Sequence, residues 1–327
     1  MYQPEHYAFV LIFMILSMLC WGSWANTVKL VPGYRFQLFY WDYVIGLFVG
    51  ALGWAVSLGS FGSTGRPFVA DFLHASPESI LFGVIGGIIF NVANLLLVAA
   101  IDIAGLAVAF PVGIGIALVV GAVSSYLVSP TGNVFLLFGG IALVLAAIVC
   151  DAIAYRERER TALSRRGVII SVISGLLMGS FYPFVAKAMS GEGASGPYAI
   201  SVYFVIGVAI CCVPVNFLLM RHPLDGKPPV AMRGYSHALT RWHLWGILGG
   251  IVWCTGAVFN FVASQAHVVG PAVSYSIGQG ATMISAVWGV FVWREFASAS
   301  SRAKTYLVWM FVLFLSGLSL VALAPVF

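Results

Sequence analysis

Polar side chains are rare in this sequence, so the amides and phenols inside its apolar runs are the first candidates for chemistry. Asn91 and Asn94 lie three positions apart, and a helix would place both on one face. Asn260 occupies an apolar run of the second half, and Tyr275 and Gln279, four apart, stack one turn from each other. Such amides and a tyrosine ring can bind a small polar solute. The same groups could instead hold helices together.

Two further stretches resemble each other. Residues 20–27 read Cys-Trp-Gly-Ser-Trp-Ala-Asn-Thr, and residues 178–183 read Met-Gly-Ser-Phe-Tyr-Pro. Their residues could line a solute-binding cavity, anchor the helix ends at the lipid interface or allow helices to pack closely. Gln265 closes the run that contains Asn260. The predicted substrate-binding residues are Trp24, Asn26, Asn91, Asn94, Tyr182, Asn260, Gln265, Tyr275 and Gln279.

Asp42 lies inside an apolar run, in the aromatic segment Phe39-Tyr40-Trp41-Asp42-Tyr43. A carboxylate in the membrane is costly without a nearby cation, so it is either a proton carrier or half of a structural pair. Lys29 and Arg35 are on the same side and are the predicted partners. We expect Asp42→Asn to lower folded yield if the pair is structural. If Asp42 carries protons, the change should spare folding and exchange but abolish pH-driven uptake.

A helix break is predicted at Pro111, Gly113 and Gly115. Proline removes a backbone hydrogen bond, and the flanking glycines soften the helix. Carriers use such breaks at mid-membrane to expose backbone groups to a solute. The alternative is a helix kink that has no role in solute binding.

The elements that position these residues are membrane-spanning helices. The chain has 327 residues, of which 61% are hydrophobic and 8% charged, with a mean hydropathy of +1.00. Soluble domains carry roughly 25% charged residues. Because about 20 apolar residues cross a bilayer, we predict ten spans. They cover residues 7–28, 36–58, 79–100, 105–128, 134–153, 167–188, 198–220, 242–264, 269–293 and 305–326.

The chain contains an internal duplication. Residues 81–117 align without a gap on residues 244–280, with the Gly-Gly-Ile of 86–88 on that of 249–251. Ten spans with a duplication give five plus five. Because five is odd, the second copy must enter the membrane from the other side. The predicted organisation is a five-helix repeat (1–154), a basic linker (155–166) and an inverted five-helix repeat (167–327).

The Lys and Arg residues indicate the orientation. Successive loops lie on alternate sides of the membrane. Fourteen of the 16 Lys and Arg residues fall in the loops of one side, and Arg66 and Lys187 fall in those of the other. Cytoplasmic loops are enriched in these residues. We therefore expect a multi-pass protein of the cell (inner) membrane, with both termini outside and residues 155–166 in the cytoplasm.

Several function classes are excluded by the sequence. A phosphate-binding loop is absent, which argues against an ATP-driven pump, and the basic residues form no extended patch for nucleic acid. The five cysteines lie in apolar runs without a Cys-x-x-Cys, so neither a disulfide framework nor a metal site is indicated. No catalytic set is expected, because all six histidines are predicted at termini or in loops. They are His6, His74, His222, His237, His243 and His267.

The segments 21–27 and 39–43, with Gln265-Ala266, Gln279, Trp288-Gly289, Glu295 and residues 300–306, resemble the ureide permease family of the drug/metabolite transporter superfamily, in a bacterial form. The resemblance implies ten helices in inverted five-helix repeats, alternating access and proton-coupled import of a small neutral solute such as a ureide or nucleobase. No cofactor is expected. A more distant similarity to glucose/ribose porters keeps sugars open as substrates. A non-transporting receptor or structural protein is the other alternative. The spans 134–153 and 305–326 lack polar interior residues and could form scaffold or the face of a homodimer.

Overall fold

The computed structural model describes residues 1–104, 106–159, 164–191, 193–266 and 269–327. His267 and the linker residues 160–163 lie outside these ranges. All regular structure in the described ranges is helical. The helices are α1 (Tyr7–Ser23), α2 (Asn26–Lys29), α3 (Phe36–Val56), α4 (Phe68–Leu73), α5 (Pro77–Ala104), α6 (Leu106–Val128), α7 (Val134–Glu159), α8 (Arg165–Ala188), α9 (Pro197–Arg221), α10 (Arg233–Ser236), α11 (Thr240–Ser264), α12 (Gly270–Gly278), α13 (Ala281–Val287) and α14 (Ser301–Leu323).

The architecture is that of an integral membrane protein. In the described part of the chain, nine helical stretches are long and apolar enough to cross a bilayer. They are α1 with α2, α3, α5, α6, α7, α8, α9, α11 and α14. Large apolar side chains such as Phe9, Leu218 and Val308 are exposed on their outer faces, as a lipid-facing surface requires. The predicted all-helical membrane fold is confirmed.

The helix break lies elsewhere than predicted. α6 continues through Pro111, Gly113 and Gly115, so the prediction of a helix break at these residues is wrong. Pro111 is the sixth residue of α6, so it removes one backbone hydrogen bond of the second turn, and the helix continues past it. The predicted span 269–293 is the interrupted one. It consists of α12, α13 and a π-helical turn, Trp288–Val292, with the first interruption between Gly278 and Ala281.

Two close helix crossings join the halves of the chain. α3 packs on α11, and a Cβ at either Gly46 or Gly250 would collide with the backbone of the facing helix. α5 packs on α9 in the same way, through Gly87 and Gly207. Small residues are what allow helix backbones to approach in membranes. The matching crossings support the inverted repeats 1–154 and 167–327, which stay a prediction.

The bundle has two distinguishable ends. At the end called here the basic end, the Glu295 carboxylate lies 2.5 Å from Lys29 Nζ and 2.8 Å from Arg158 Nη1. At the opposite end, the amino group of Met1 donates to the Thr64 carbonyl oxygen at 2.9 Å. α3, α8 and α11 begin at the basic end, whereas α5 and α9 begin at the opposite end.

Candidate functional site

A fully buried hydrogen-bonded cluster, called here the Asn260 group, contains Ser17, Tyr182, Asn260 and Ser274. The Tyr182 hydroxyl donates to Asn260 Oδ1. Asn260 Nδ2 donates to Ser17 Oγ at 3.1 Å and to the Ser274 carbonyl oxygen at 2.9 Å. Four helices, α1, α8, α11 and α12, therefore converge on one amide.

Tyr275 extends the Asn260 group towards α6 and α8. Its ring centroid lies 4.7 Å from that of Tyr182, and its hydroxyl donates to the Ala117 carbonyl oxygen at 3.2 Å. A Cβ at Gly121 would overlap the Tyr275 ring, so this glycine makes room for it. The structure thus brings together three predicted site residues, Tyr182, Asn260 and Tyr275.

A second buried cluster, called here the Asn91 group, contains Tyr40, Asn91 and Asn94. The Tyr40 hydroxyl donates to Asn91 Oδ1 at 3.0 Å and accepts from Asn94 Nδ2 at 3.4 Å. Asn91 and Asn94 share one face of α5, as their spacing predicted. Tyr40 was missed, because the aromatic segment around Asp42 was interpreted through its carboxylate alone.

Stacked rings connect the two groups. Phe90 lies beside Asn91 in the sequence, and its ring centroid is 4.2 Å from that of Trp253. Trp253 stacks on Trp21 with centroids 5.8 Å apart and planes 21° apart. The Trp21 ring and the Asn260 amide both come within 3 Å of where a Cβ at Gly278 would be. Trp21, Phe90 and Trp253 are called here the aromatic bridge.

Measured along the helices, the bridge lies between the two polar groups. Trp253 precedes Asn260 by two turns of α11, or about 10 Å, and Phe90 is near the middle of α5. The interruption of α12 at Gly278 falls beside Trp21. Polar groups thus flank the aromatic bridge on each side, next to an interrupted helix, and carrier sites are typically formed at interrupted helices near the bilayer centre.

Three buried polar atoms near the bridge lack hydrogen-bond partners in the described part of the chain. They are Trp21 Nε1, the Tyr43 hydroxyl and Asn91 Nδ2. Tyr43 stacks on Tyr40 at 5.2 Å, and Trp24 contacts its ring at 4.9 Å. A buried polar group without a partner calls for an explanation, and a bound solute would supply one at these three atoms. All three can donate a hydrogen bond to a solute.

Other predicted site residues lie apart from these groups. Asn26 Oδ1 accepts from Trp293 Nε1 at 2.6 Å, and Asn26 Nδ2 donates to the Ser23 carbonyl oxygen, so this side chain fixes the basic end of α1. Gln265 is the residue that ends α11. Gln279 follows α12 directly and is 8% exposed, beside the interruption at Gly278.

Asp42 has partners different from those predicted. Both carboxylate oxygens lie 2.9 Å from His243 Nδ1, and hydroxyls donate to them from Tyr235 at 2.7 Å and Tyr34 at 3.0 Å. Lys29 instead pairs with Glu295, and Arg35 donates to the Pro228 carbonyl oxygen. The predicted ion pair of Asp42 with Lys29 or Arg35 is therefore wrong.

His243 was predicted at a terminus or in a loop, although the predicted span 242–264 includes it, and it lies in the first turn of α11. His243 directly follows Trp242, where the apolar run begins. The hydropathy pattern therefore does not show whether His243 belongs to the loop or to the helix. Burial and the Asp42 carboxylate raise the pKa of Tyr34 well above its ordinary value, and the same two causes raise the pKa of Tyr235. Both hydroxyls therefore stay protonated and donate to Asp42.

The charged cluster at the basic end joins three helix ends. Glu295 accepts from Lys29, from Arg158 and, at 3.3 Å, from the Tyr155 hydroxyl. Burial opposes ionisation of Glu295, but the hydrogen bonds and charges of Lys29 and Arg158 hold its pKa below the ordinary value. Within the described ranges, no group of three or more His, Cys, Asp or Glu side chains could hold a metal ion.

The sequence is similar to those of known transport proteins. Ureide permease 1 of Arabidopsis thaliana is 22% identical over 96% of each chain, and ureide permease 2 of the same plant is 23% identical over 98% of each. A probable glucose uptake protein, GlcU, of Bacillus cereus is 23% identical over 67% of this chain and 71% of its own length. These relatives are transporters of small metabolites.

A crystal structure of another protein superposes with a TM-score of 0.60 over 96% of each chain at 15% identity, which shows a shared fold. The model of the family described as sugar transport protein matches residues 11–324, nearly the whole chain. The chain therefore belongs to the sugar transport protein family.

Proposed function

We propose that this protein is a secondary active transporter that works by alternating access and imports a small neutral polar metabolite. The observation that carries the proposal is the aromatic bridge between the Asn91 and Asn260 groups, with unpaired donors on Trp21, Tyr43 and Asn91 beside it. A mostly apolar site with a few fixed polar groups is how small molecules are bound.

The ring chemistry favours a ureide or nucleobase-like solute. A planar heterocycle can replace the contact between stacked Trp21 and Trp253, and its carbonyl oxygens can accept from the unpaired donors. The ureide permeases among the relatives support this choice. A glucose- or ribose-type sugar is the second candidate, favoured by the family description and by the glucose uptake relatives.

Proton coupling is assigned to Asp42 together with His243. The two side chains join α3 of the first half to α11 of the second, so a change in their charge acts on both halves. His243 is 24% exposed at its side chain, whereas that of Asp42 is 1% exposed. His243 is therefore the member of the pair that solution reaches, and it is placed to pass a proton to the buried carboxylate.

The basic end is proposed to face the cytoplasm, because cytoplasmic loops are enriched in Lys and Arg. Residues 155–166 would then be cytoplasmic and both termini outside. Cysteines introduced at Arg156 and at Phe327 should react with an impermeant reagent from opposite sides of the cell membrane. Reaction from the same side would contradict the ten-span inverted arrangement.

Uptake into proteoliposomes tests the solute and the coupling together. The labelled panel contains allantoin, uracil, hypoxanthine, glucose and ribose, with and without a pH gradient. We expect allantoin or a nucleobase to accumulate when the gradient is imposed. Uptake of sugars alone would replace the ureide proposal by the sugar proposal, and uptake of nothing would favour a receptor.

A further inference from the structure

Asp151 is a buried carboxylate that the proposed function does not use. It lies on α7 within the membrane-crossing stretch Val134–Arg158 and is 4% exposed. Its Oδ1 atom has no hydrogen-bond partner, and its carboxylate forms no ion pair within the described part of the chain. An ionised carboxylate without a partner is costly to bury, above all inside a membrane.

The other two buried aspartates of the described residues are both paired. The Asp42 carboxylate has the histidine and tyrosine partners described above. Asp71 lies 3.0 Å from Arg66 Nη2 and accepts from the Gly196 N–H at 2.7 Å. Asp71 is 3% exposed, almost the same as Asp151. The lack of a partner, and not the degree of burial, therefore sets Asp151 apart.

The charges nearest to Asp151 belong to the cluster at the basic end. Tyr155 follows Asp151 by one turn on the same face of α7, and its hydroxyl donates to Glu295 at 3.3 Å. The two cations of the cluster, Lys29 and Arg158, both contact Glu295. The four side chains at this end, Lys29, Tyr155, Arg158 and Glu295, are called here the Glu295 cluster. Its carboxylate repels a negative charge on Asp151.

The other titratable groups packed near α7 supply no cation to this carboxylate in the described ranges. α7 packs on α14 and α6. On α14, Arg302 lies 3.6 Å from Glu157 and over the Tyr306 ring, and Lys304 donates to a backbone carbonyl oxygen. The basic-end half of α6 has no titratable side chain, and Cys150 on α7 brings no positive charge. A proton from solution is the simplest group that can offset the buried carboxylate.

We propose that Asp151 is a second proton-binding site, separate from Asp42 and His243, which holds its proton while the Glu295 cluster is closed and releases it when the cluster opens. Opening lets water reach the carboxyl group, whose O–H bond breaks as water takes the proton. Because the closed bundle binds the proton and the open one releases it, high pH on the basic-end side favours opening. The bound proton is independent of the proposed transport, whereas its link to opening rests on alternating access.

Infrared spectroscopy of the purified protein tests the bound proton directly. A protonated carboxyl group has a C=O band that a carboxylate lacks. At neutral pH we expect such a band in the unmodified protein and in Asp71→Asn, the equally buried but paired control, and its loss in Asp151→Asn. No band, or a band that survives in Asp151→Asn, would overturn the site. Disappearance of the band on addition of sodium would also overturn it, because the carboxylate would then bind a metal cation.

Melting temperatures separate a proton site from a structural carboxylate. Asp151→Asn exchanges a neutral acid for a neutral amide of similar shape, so we expect no fall at neutral pH in one detergent. Asp71→Asn loses the charge that holds Arg66 and should melt at a lower temperature. A fall for Asp151→Asn as large as that for Asp71→Asn would overturn the proposal.

Hydrogen–deuterium exchange of residues 288–296 tests the link to opening. This segment contains the π-helical turn Trp288–Val292 and Glu295. Comparing the unmodified protein with Asp151→Asn at the same pH removes the intrinsic pH dependence of exchange. We expect equal exchange at neutral pH and at least about threefold faster exchange in the unmodified protein at alkaline pH. Phe68–Leu73, at the opposite end, should exchange equally in both proteins at every pH.

The possible failures are distinguishable. Equal exchange of residues 288–296 at every pH would overturn the link between Asp151 and opening, even with the infrared band present. Lack of solute exchange by the unmodified protein in proteoliposomes would instead overturn the transport function, and the infrared result would still decide whether Asp151 binds a proton.

Discussion

His243 Nδ1 lies 2.9 Å from both carboxylate oxygens of Asp42, and this contact joins the two halves of the chain. Asp42 is one turn from Gly46, where α3 crosses α11 at the closest approach. The pair is therefore positioned where a change of charge can alter the packing of the two halves, which must move if the proposed alternating access operates.

Asp42→Asn tests whether this pair couples transport to protons. The asparagine keeps an acceptor for Tyr235 but removes the negative charge. We expect counterflow within about threefold of that of the unmodified protein, because exchange of solute for solute needs no net proton movement, and we expect loss of accumulation driven by a pH gradient. His243→Gln should have the same effect, and Glu78→Gln, which removes an exposed carboxylate, should have none.

The alternative for Asp42 is a structural role. In that case Asp42→Asn and His243→Gln would each lower the yield of monodisperse protein, and the residual folded fraction would still respond to a pH gradient. That result would contradict the assignment of the pair to coupling.

Gly46→Ala should destabilise the crossing of α3 and α11. The added Cβ would overlap the Ile247 carbonyl oxygen, and overpacking of this kind costs about 1–3 kcal/mol. Gly53→Ala on the same helix is the control, because nothing lies within 4 Å of its Cβ. Melting temperatures in one detergent should fall for Gly46→Ala alone. An unchanged value would mean that the helices are further apart than described.

Tyr40→Phe should weaken solute binding. It removes the hydroxyl that Asn91 and Asn94 share, and a buried polar group left without its partner costs about 1–3 kcal/mol. We therefore expect the melting temperature to fall, and the Kd of the transported solute to rise about 5- to 100-fold, because the two amides lose the hydroxyl that orients them. Tyr306→Phe on α14 is the control. Unchanged affinity would exclude the Asn91 group from the site.

Glu295 should make stability depend on pH in the acid range. Its folded-state pKa is held below the ordinary value, so its stabilising contribution is present above the unfolded pKa of about 4.3 and is lost as pH falls through the folded pKa. The melting temperature of the unmodified protein should converge on that of Glu295→Gln as pH is lowered. Glu5→Gln, at an exposed position, should stay parallel to the unmodified protein at every pH.

The helices could be predicted from the sequence because the thickness of the bilayer sets their length, and each one appears as an apolar run of that length. Nine of the ten predicted spans correspond to helices of the described chain. The interruption of the span 269–293 was not recognised, because Pro111 indicates a helix break more strongly than Gly278 and Gly280 do. The interruption depends on tertiary contacts, among them Trp21 against Gly278.

The site could be predicted in part. Spacing along one helix identified Asn91 with Asn94, but it could not pair Tyr182 with Asn260, whose contact depends on how α8 meets α11. The partner of Asp42 was missed for the same reason. Charge and proximity in sequence favoured Lys29, whereas the Gly46 crossing brings His243 from the other half.

Counterflow tests the central claim, that one bundle carries a solute past an aromatic bridge by alternating access. Proteoliposomes are loaded with the unlabelled solute that gave uptake in the panel, and labelled solute is added outside. We expect label to rise transiently above its equilibrium level, and we expect Tyr40→Phe to reduce this overshoot while Tyr306→Phe does not. Label that only approaches equilibrium, without an overshoot, would contradict the claim.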